Sequence, residues 1–388
     1  MQKLTQKFTD IFHEAPTLTA FAPGRINLIG EHTDYNGGFV FPAAIELGTY
    51  GAISKRSDRL IQLYSTNFEE VGVISFDLDH LQYKTSDQWG NYPKGIIHFL
   101  VERYPQIETG FNIIYEGNIP NGASLSSSAS IELLTGHLIT SLFHINMDRL
   151  DLVKMGQRVE NDFIGVNSGI MDQFIIGFGK KDHAILLDTN TLEYHYVPTE
   201  FGTYKISIMN TNKRRELAES KYNERRAECE QALAQLQQHL DVQSLGEITM
   251  AQFEDYAHVI RDEKLRRRAK HAISENERTK QAYEALKAHD FDTFGQLLNA
   301  SHASLKDDYE VTGIELDTLA ECAQKVEGVL GARMTGAGFA GCAIALVHQD
   351  KIKDLERIVT EEYTRTVGYA PSFYHVDIAN GVRTLEED

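Results

Sequence analysis

The sequence has few cysteines and no long run of apolar residues. Only three of its 388 residues are cysteines, Cys229, Cys322 and Cys342, which are too few and too widely spaced for a disulfide framework or a zinc cluster. We therefore expect reduced thiols in a cytoplasmic protein. No stretch approaches the length of a membrane span, and the first residues lack the apolar segment of a signal peptide, so no membrane partner is expected.

Positive charge is scarce as well. Lys and Arg together number 38, against 56 Asp and Glu, which gives a formal net charge of −18. Such an acidic chain repels nucleic acid and anionic lipid, and we expect neither as a partner. A nucleotide can still bind wherever local groups create a positive field.

Short strands and helices are mixed along the chain. The apolar patterns predict strands over 17–23, 39–54, 110–117, 183–188, 204–210, 342–348 and 372–378, and helices over 132–143, 148–163 and 354–367. Because they do not alternate strictly, an α+β fold is favoured over a doubly wound sheet. The length predicts two domains, residues 1–190 and 191–388.

The second half contains a long charged region. From about residue 215 to residue 304 the chain is rich in Glu, Lys, Arg, Gln and Ala, which predicts several surface helices. Its basic runs, 213–226 and 264–270, have acidic neighbours and are typical of solvated helix faces.

Residues 24–38, GRINLIGEHTDYNGG, concentrate fixed polar groups among four glycines. A pocket for a hydroxyl-rich molecule needs such groups, because each buried hydroxyl left unpaired costs about 1–3 kcal/mol. No HExxH motif and no partner histidine at helical spacing is present, so a zinc site is not favoured. The polar side chains of this segment include Arg25, Glu31, His32, Asp34 and Asn36.

Residues 120–130, PNGASLSSSAS, lie between a predicted strand and a predicted helix. The backbone N–H groups at a helix start bind phosphate, and the hydroxyls of Ser126, Ser127 and Ser128 add donors or a magnesium ligand. A simple helix cap is the alternative, but three consecutive serines exceed what a cap needs. The segment is not a P-loop, because it lacks the GxxxxGK[ST] pattern.

A second glycine-rich segment, residues 331–341, contains a formal GxGxxG at Gly336, Gly338 and Gly341. A dinucleotide-binding glycine motif follows a strand and opens a helix, whereas this one precedes a predicted strand. We therefore reject dinucleotide binding and expect either a tight turn or a loop that approaches a ligand closely.

Two acidic residues, Glu160 and Asp172, lie in the segment 159–174, VENDFIGVNSGIMDQF. Near a phosphate site, one carboxylate can hold magnesium and the other can take a hydroxyl proton. Judged from spacing alone, most such pairs are two solvated acids. Trp89 and Tyr92 present a similar choice, between stacking on an adenine ring and packing in the core.

Together and in this order, the three segments resemble the GHMP family of small-molecule kinases, and residues 24–38 resemble the signature of its galactokinase branch. The resemblance extends over essentially the whole chain. It implies a two-domain α+β fold with the active site in the cleft between the domains. It also implies transfer of the γ-phosphoryl group of ATP to the anomeric hydroxyl of α-D-galactose, with magnesium as cofactor, by a monomer.

The resemblance also implies roles for individual residues. Asp172 matches the catalytic base, and Arg25 matches the group that stabilises the transition state and the ionised base. The matching sugar contacts are Glu31, His32, Thr33, Asp34, Gly169 and Tyr222. The matching phosphate loop consists of Gly122, Ala123, Ser124, Leu125, Ser126, Ser127 and Ser128. The matching magnesium ligands are Ser128 and Glu160, and the adenine side is matched by Trp89 and Ser65.

The chain departs from the family pattern at Ser124, Ala337 and Ala340, where glycine is usual. A Cβ matters at these positions if the backbone needs a positive φ, so we expect an effect on nucleotide affinity. Two alternatives to a galactose kinase are a non-catalytic sensor of sugar and ATP, and a kinase for another acceptor such as arabinose, an N-acetylhexosamine or mevalonate. The intact Ser128, Asp172 and Arg25 favour catalysis over sensing.

Overall fold

The computed structural model describes residues 2–120, 122–213 and 218–385. Two parts of the sequence predictions fall outside this range. They are Asn121 of the serine-rich segment and residues 214–217 at the start of the predicted helical region. Among the described residues, no helix combines the length and apolar character needed to cross a bilayer.

The strands form three sheets. In chain order they are β1 (Leu18–Asn27), β2 (Phe39–Val40), β3 (Pro42–Lys55), β4 (Leu60–Ser65), β5 (Ile74–Asp77), β6 (Phe111–Gly117), β7 (His183–Asp188), β8 (Tyr194–Pro198), β9 (Tyr204–Asn210), β10 (Val329–Thr335), β11 (Cys342–His348), β12 (Ser372–His375) and β13 (Arg383–Leu385). The sheet orders are β13-β1-β3-β6-β4-β5, β10-β11-β9-β12 and β2-β7-β8. Mixed sheets of this kind, with helices segregated beside them, confirm the α+β prediction.

The helices surround these sheets. They are α1 (Gln2–Phe12), α2 (Asn91–Arg103), α3 (Ser127–Leu142), α4 (Arg149–Arg158), α5 (Met171–Phe178), α6 (Ala218–Leu236), α7 (Met250–Tyr256), α8 (Glu263–Lys287), α9 (Phe291–Ser304), α10 (Gly313–Ala323) and α11 (Ile352–Val367). Asp148 caps α4 by accepting a hydrogen bond of 2.8 Å from the Leu150 backbone N–H.

Three large apolar cores hold the layers together, and a smaller fourth cluster packs α1 on the six-stranded sheet. The first packs α2 to α5 on the six-stranded sheet, with Leu134 against that sheet, and the second packs α6, α8, α10 and α11 on the four-stranded sheet. The third core lies between the halves of the chain and joins Ile26 and Phe41 to Ile208 and Leu298. Because this core contains residues from both halves, the six-stranded and four-stranded sheets are packed into one body.

Some element boundaries differ from the sequence predictions. Strand β1 continues to Asn27 rather than ending at residue 23, so Arg25 stands on a strand and not in a loop. Its continuation is stabilised by pairing with β3, which includes Arg25 opposite Ala44. Helix α4 ends at Arg158 and is followed by a π-turn over Val159–Ile164, which replaces the last part of the predicted helix 148–163.

The prediction of a solvated basic face at 264–270 is wrong for Arg268. Its side chain is 1% exposed and donates to Glu228 (2.8 Å) and to Glu310 (2.7 Å). Helix α8 is likewise not a surface helix, because one of its faces is buried under the loop after β1. The acids that neutralise Arg268 are distant in the sequence, so local charge counting assigned the wrong environment.

Candidate active site

A cavity of about 440 Å³ brings together segments that are far apart in the sequence. Its walls come from the end of β1 and the following loop, the start of α3, the segment before α5, and the loop between β10 and β11. The predicted site residues that line it are Arg25, Glu31, His32, Asp34, Ser65, Trp89, Gly122, Ala123, Ser124, Leu125, Ser126, Ser127, Ser128, Glu160, Gly169, Asp172 and Tyr222.

Arg25 and Asp172 form an ion pair on the cavity wall. The Arg25 Nε and Nη2 atoms donate to the two carboxylate oxygens of Asp172 at 2.7 and 2.9 Å, and Nη1 donates to the Ser124 carbonyl at 2.7 Å. Arg25 is almost fully buried, whereas Asp172 keeps 30% of its side chain exposed. Burial lowers the pKa of Arg25, but the charge and hydrogen bonds of Asp172, together with the charges of Glu31 and Asp34, raise that pKa overall.

The Asp172 carboxylate is held by three groups and remains accessible. The Ser126 hydroxyl donates to the oxygen that also accepts from Arg25 Nη2. Each carboxylate oxygen has more than one acceptor site, so this arrangement leaves capacity for a hydroxyl from the cavity. A carboxylate held in a fixed position on the wall of a cavity suits a general base.

The loop over residues 28–38, here called the sugar loop, presents Glu31, His32 and Asp34 to the cavity. The imidazole of His32 lies 2.7 Å from the Tyr35 hydroxyl through Nδ1 and 3.2 Å from the Ala337 carbonyl through Nε2. A carbonyl only accepts, so Nε2 carries the proton and Nδ1 accepts from Tyr35. Burial, and then the charge of His271, lower the pKa of His32 to about 3, so the ring is neutral.

The two carboxylates of the sugar loop differ in exposure, since Glu31 is buried and Asp34 is partly buried. Burial, reinforced by the negative charge of Asp172, raises the pKa of Asp34 to about 6. Burial also raises the pKa of Glu31, although the nearby arginines oppose it. Gly169 must be a glycine for Asp34 to lie where it does, because a Cβ at Gly169 would stand 1.9 Å from the Asp34 Oδ2 atom.

Thr33 is the predicted sugar contact that does not line the cavity. It is fully buried, and its hydroxyl lies 2.8 Å from the Gly30 carbonyl and 2.6 Å from the Phe39 carbonyl. Its side chain therefore closes the sugar loop on itself. Thr33 supports the site from behind through these contacts.

The phosphate loop, residues 122–128, leads into the N-terminus of α3. Unpaired N–H groups at the start of this helix of 16 residues give the cavity a local positive potential in an otherwise acidic chain. Ser124 has a φ of 58° and Ser126 a φ of 62°, so the predicted need for a left-handed backbone is confirmed at Ser124. Ala337 and Ala340 do not have a positive φ.

The glycine loop between β10 and β11 approaches the phosphate loop closely. A Cβ at Gly341 would stand 2.1 Å from the Ser124 hydroxyl oxygen, and a Cβ at Gly336 would stand 2.8 Å from the Ser124 carbonyl oxygen. Gly336 and Ala337 also line the cavity. Glycine at these positions lets the two loops share one wall.

Ser128 and Glu160 have the chemistry of a magnesium site. The Ser128 hydroxyl donates to a Glu160 carboxylate oxygen at 2.7 Å, at the edge of the cavity where α3 begins. Mg²⁺ prefers oxygen ligands and is held in nucleotide sites by one or two protein groups together with phosphate oxygens. A hydroxyl and a carboxylate in contact fit that donor set.

Aromatic side chains line the other end of the cavity. Trp89 lies between the cavity and the first core, stacked on Phe68 with 6.4 Å between ring centroids and edge-on to Tyr115 at 5.7 Å. The Ser65 hydroxyl accepts from the Asn67 amide at 3.2 Å. Trp89 therefore packs against the first core and also lines the cavity, while stacking on an adenine ring stays a prediction.

Several lining residues could not be inferred from the sequence. Asn67, Phe68 and Tyr115 reach the cavity from segments that carried no motif. Phe68 and Tyr115 reach it because β4 pairs in parallel with β6, a long-range pairing that no local pattern encodes.

Family models match three parts of the chain. A model described as the galactokinase galactose-binding signature matches residues 6–55. Models of the N-terminal and C-terminal GHMP kinase domains match residues 91–180 and 282–365. Together these matches cover more than half of the chain and include the sugar loop and the phosphate loop.

Full-length relatives and a solved structure agree with these matches. The chain is 67% identical to the galactokinase of Staphylococcus carnosus (strain TM300), with all of both chains covered. It is also 67% identical to the galactokinase of Staphylococcus saprophyticus, with 99% of this chain and 100% of the relative covered. The crystal structure of Lactococcus lactis galactokinase complexed with galactose is similar with a TM-score of 0.97 at 55% identity, covering 99% of each chain.

Proposed function

The chain belongs to the galactokinase family of the GHMP kinases, and we propose that it transfers the γ-phosphoryl group of ATP to the anomeric hydroxyl of α-D-galactose. The products are α-D-galactose 1-phosphate and ADP. The observation that carries this proposal is the Arg25–Asp172 pair, which stands between the sugar loop and the phosphate loop on the wall of one cavity.

The sugar is held by the acceptors of the sugar loop. Glu31 and Asp34 accept from galactose hydroxyls, and the neutral His32 is fixed by Tyr35 and Ala337. Tyr222, whose ring centroid lies 5.5 Å from that of His32, supplies an apolar face and a hydroxyl beside them. A site of this kind discriminates sugars strongly, because a missing hydroxyl leaves a buried acceptor unpaired.

The chemical step is an in-line displacement at the γ-phosphorus. The anomeric oxygen forms the new P–O bond, its proton passes to the Asp172 carboxylate, and the bond to the β-phosphate oxygen breaks to release ADP. Arg25 holds Asp172 in place and adds positive charge next to the developing negative charge. Phosphoryl transfer depends mainly on such positioning and charge neutralisation, and the amides at the start of α3 contribute to both.

Magnesium would be held by Ser128 and Glu160, with the phosphates of ATP completing its ligands. When bound, it neutralises phosphate charge that a chain with a net charge of −18 would otherwise repel. Trp89 and Phe68 offer the adenine ring an aromatic wall at the far end of the cavity. The cavity is lined by one chain, so we propose a monomer as the working unit, in the cytoplasm where ATP is available.

The decisive experiment replaces the proposed base. We expect Asp172→Asn to lower kcat by about 100-fold or more, the range by which positioned acid–base groups accelerate reactions. Galactose binding, measured by calorimetry, should persist within about threefold because the proposed sugar anchors Glu31 and Asp34 are untouched. ADP release with galactose and ATP gives kcat for both proteins.

The matched control is Asp255→Asn, an exposed acid of α7 far from the site, which should behave as the wild type. Retention of most turnover by Asp172→Asn would refute the general-base role. Absence of ADP from the wild type would favour a sensor, and faster ADP release with arabinose or N-acetylgalactosamine would point to another acceptor.

A further inference from the structure

The backbone N–H, the carbonyl and one carboxylate oxygen of Glu31 all contact the second half of the chain. Its backbone N–H points to a carboxylate oxygen of Glu275 at 3.4 Å, and its carbonyl accepts from His271 Nε2 at 3.1 Å. Its side-chain Oε1 accepts from the Gly336 amide at 2.7 Å and lies 3.5 Å from Arg333 Nη1. The orientation of this cavity-lining carboxylate is therefore set from α8, β10 and the glycine loop.

Glu275 is a buried anion with no contact to the cavity. Its side chain is fully buried on α8, where Oε1 accepts from the Gly30 amide at 3.1 Å and from the Ser301 hydroxyl at 2.5 Å. Its Oε2 accepts from Arg278 at 2.8 Å. Burial raises the pKa of Glu275, but Arg278 and the other cations around it lower it to about 2, so the group is an anion at neutral pH.

Arg333 is the matching buried cation on β10, also fully buried. Its Nη1 donates to the Asn27 carbonyl at 2.9 Å and to the Leu28 carbonyl at 3.1 Å, which lie at the start of the sugar loop. Its Nε donates to the Ser301 hydroxyl oxygen at 3.1 Å. Ser301 on α9 thus accepts a hydrogen bond from Arg333 and donates one to Glu275.

Buried charges of this kind are costly. An apolar replacement of similar volume often gives a fold of equal or higher stability, because the desolvation of both ions offsets their attraction. Arg333 and Glu275 are therefore poorly explained as stabilising elements alone. What they share is contact with the backbone and side chain of the sugar loop.

We propose that Arg333 and Glu275, joined through Ser301, are positioning residues that set the affinity for galactose by fixing Glu31. This inference rests on the proposed function only through the assignment of Glu31 to the sugar. Neither residue lines the cavity, so neither touches the substrate. The second half of the chain therefore affects sugar binding through a buried chain of hydrogen bonds and charges, here called the relay, which consists of Arg333, Ser301 and Glu275.

The test removes the central hydroxyl with Ser301→Ala, which leaves both charges in place. We expect the KM for galactose and its calorimetric dissociation constant to rise about tenfold, the loss expected when a hydrogen bond to a charged group is removed. The KM for ATP should stay within about twofold, because no residue of the relay reaches the phosphate loop or the aromatic end of the cavity. Thermal unfolding of each protein shows whether it is folded at the assay temperature.

The matched control is Ser274→Ala on α8, whose hydroxyl donates only to the His271 carbonyl of its own helix and whose loss should leave both KM values unchanged. Arg333→Lys, which keeps the charge without the forked geometry, should raise the galactose KM selectively as well. An unchanged galactose KM in Ser301→Ala, or an equal rise of both KM values, would overturn the inference. A wild type that releases no ADP with galactose would instead overturn the proposed function.

Discussion

Asp34 and His32 are close neighbours in the sugar loop, yet burial shifts their pKa values in opposite directions. It raises that of Asp34 to about 6 and lowers that of His32 to about 3, because burial disfavours the charged form of each. At neutral pH the imidazole is therefore neutral and the carboxylate is ionised. The backbone of His32 adopts a φ of 62°, a strained value that the surrounding hydrogen bonds maintain.

The pKa of Asp34 predicts a pH dependence of sugar use. Above pH 6 the carboxylate is ionised and can serve as the proposed acceptor for galactose hydroxyls, and as the pH falls through about 6 it gains a proton and loses acceptor capacity. We expect kcat/KM for galactose to fall on the acid side with an apparent pKa near 6. Steady-state kinetics between about pH 5 and pH 8, a range that brackets this pKa, measure the apparent pKa of the acid limb.

Asp34→Asn provides the comparison for this profile. Its kcat/KM should be lower than that of the wild type at pH 8. It should not fall further as the pH passes through about 6, because the amide does not titrate. The same acid limb in Asp34→Asn would mean that another group produces it.

At the level of elements, the phosphate loop contains two serines whose backbone is strained. Ser124 and Ser126 both have a positive φ, but their side chains differ. The Ser126 hydroxyl donates to Asp172, whereas the Ser124 hydroxyl is buried without a partner among the described residues. The Ser126 side chain therefore supports the proposed base, whereas Ser124 contributes to the site through its backbone carbonyl, which accepts from Arg25, and not through its side chain.

We predict that Ser124→Gly stabilises the protein. Glycine relieves about 1–2 kcal/mol of left-handed strain and removes an unpaired buried hydroxyl, against about 0.5–1 kcal/mol of extra chain entropy in the unfolded state. A rise of about 1 kcal/mol in the free energy of unfolding is expected, measured by urea denaturation.

Ser126→Gly is the matched substitution, with the same change at a similar φ. It also loses the hydrogen bond to Asp172, so we expect a smaller gain in stability together with lower kcat. A loss of stability in Ser124→Gly would show that its side chain makes a contribution that its contacts do not reveal.

At the scale of the whole molecule, the halves of the chain are interlocked. The third core joins β1 to β9 and α9, and the terminal strand β13 pairs with β1 at the edge of the first sheet. We still propose a division near residue 190, between the sheet of β1 and the sheet of β9. The chain then crosses this division again to place β13.

Glu132 predicts how stability depends on pH. It is fully buried on α3, and burial, followed by the charge of Glu160, raises its pKa well above 4.5. Between pH 4.5 and the raised value, the folded state holds a proton that the unfolded state has lost, so the free energy of unfolding falls as the pH rises. Glu132→Gln should therefore raise stability at pH 8 by more than about 1 kcal/mol.

A glutamine at position 132 can be accommodated by the side chain that Glu132 already contacts. Glu132 Oε2 accepts from Gln173 Nε2 at 3.3 Å, while the Gln173 carbonyl oxygen has no partner among the described residues. A glutamine at position 132 can donate to that oxygen and does not titrate. Thermal unfolding at pH 5 and at pH 8 should show that Glu132→Gln is more stable than the wild type by a larger margin at pH 8. The margin grows with pH because the raised pKa makes the wild type lose stability as the pH rises. An equal gain at both pH values, or any gain from the exposed Glu254→Gln, would contradict this.

The sequence by itself determined the chemistry of the site. The segments around Arg25, Ser128 and Asp172 carry residue types that fit sugar, phosphate and metal, and the second glycine-rich segment does precede a strand, as its sequence indicated. Such inferences depend on side-chain chemistry and on short-range order along the chain, which one-dimensional patterns record. The end of β1 and the surroundings of Arg268 were mispredicted because both depend on distant partners.

Only the tertiary structure decided which groups meet. It placed Thr33 behind the cavity, brought Phe68 and Tyr115 to its aromatic end, and buried Arg333 and Glu275 beneath Glu31. Arg333 lies 302 residues from Glu31 along the chain, and no local pattern relates them. The physical reason is that desolvation and long-range charge pairing depend on the packed surroundings of a group, which exist only once the halves of the chain have come together.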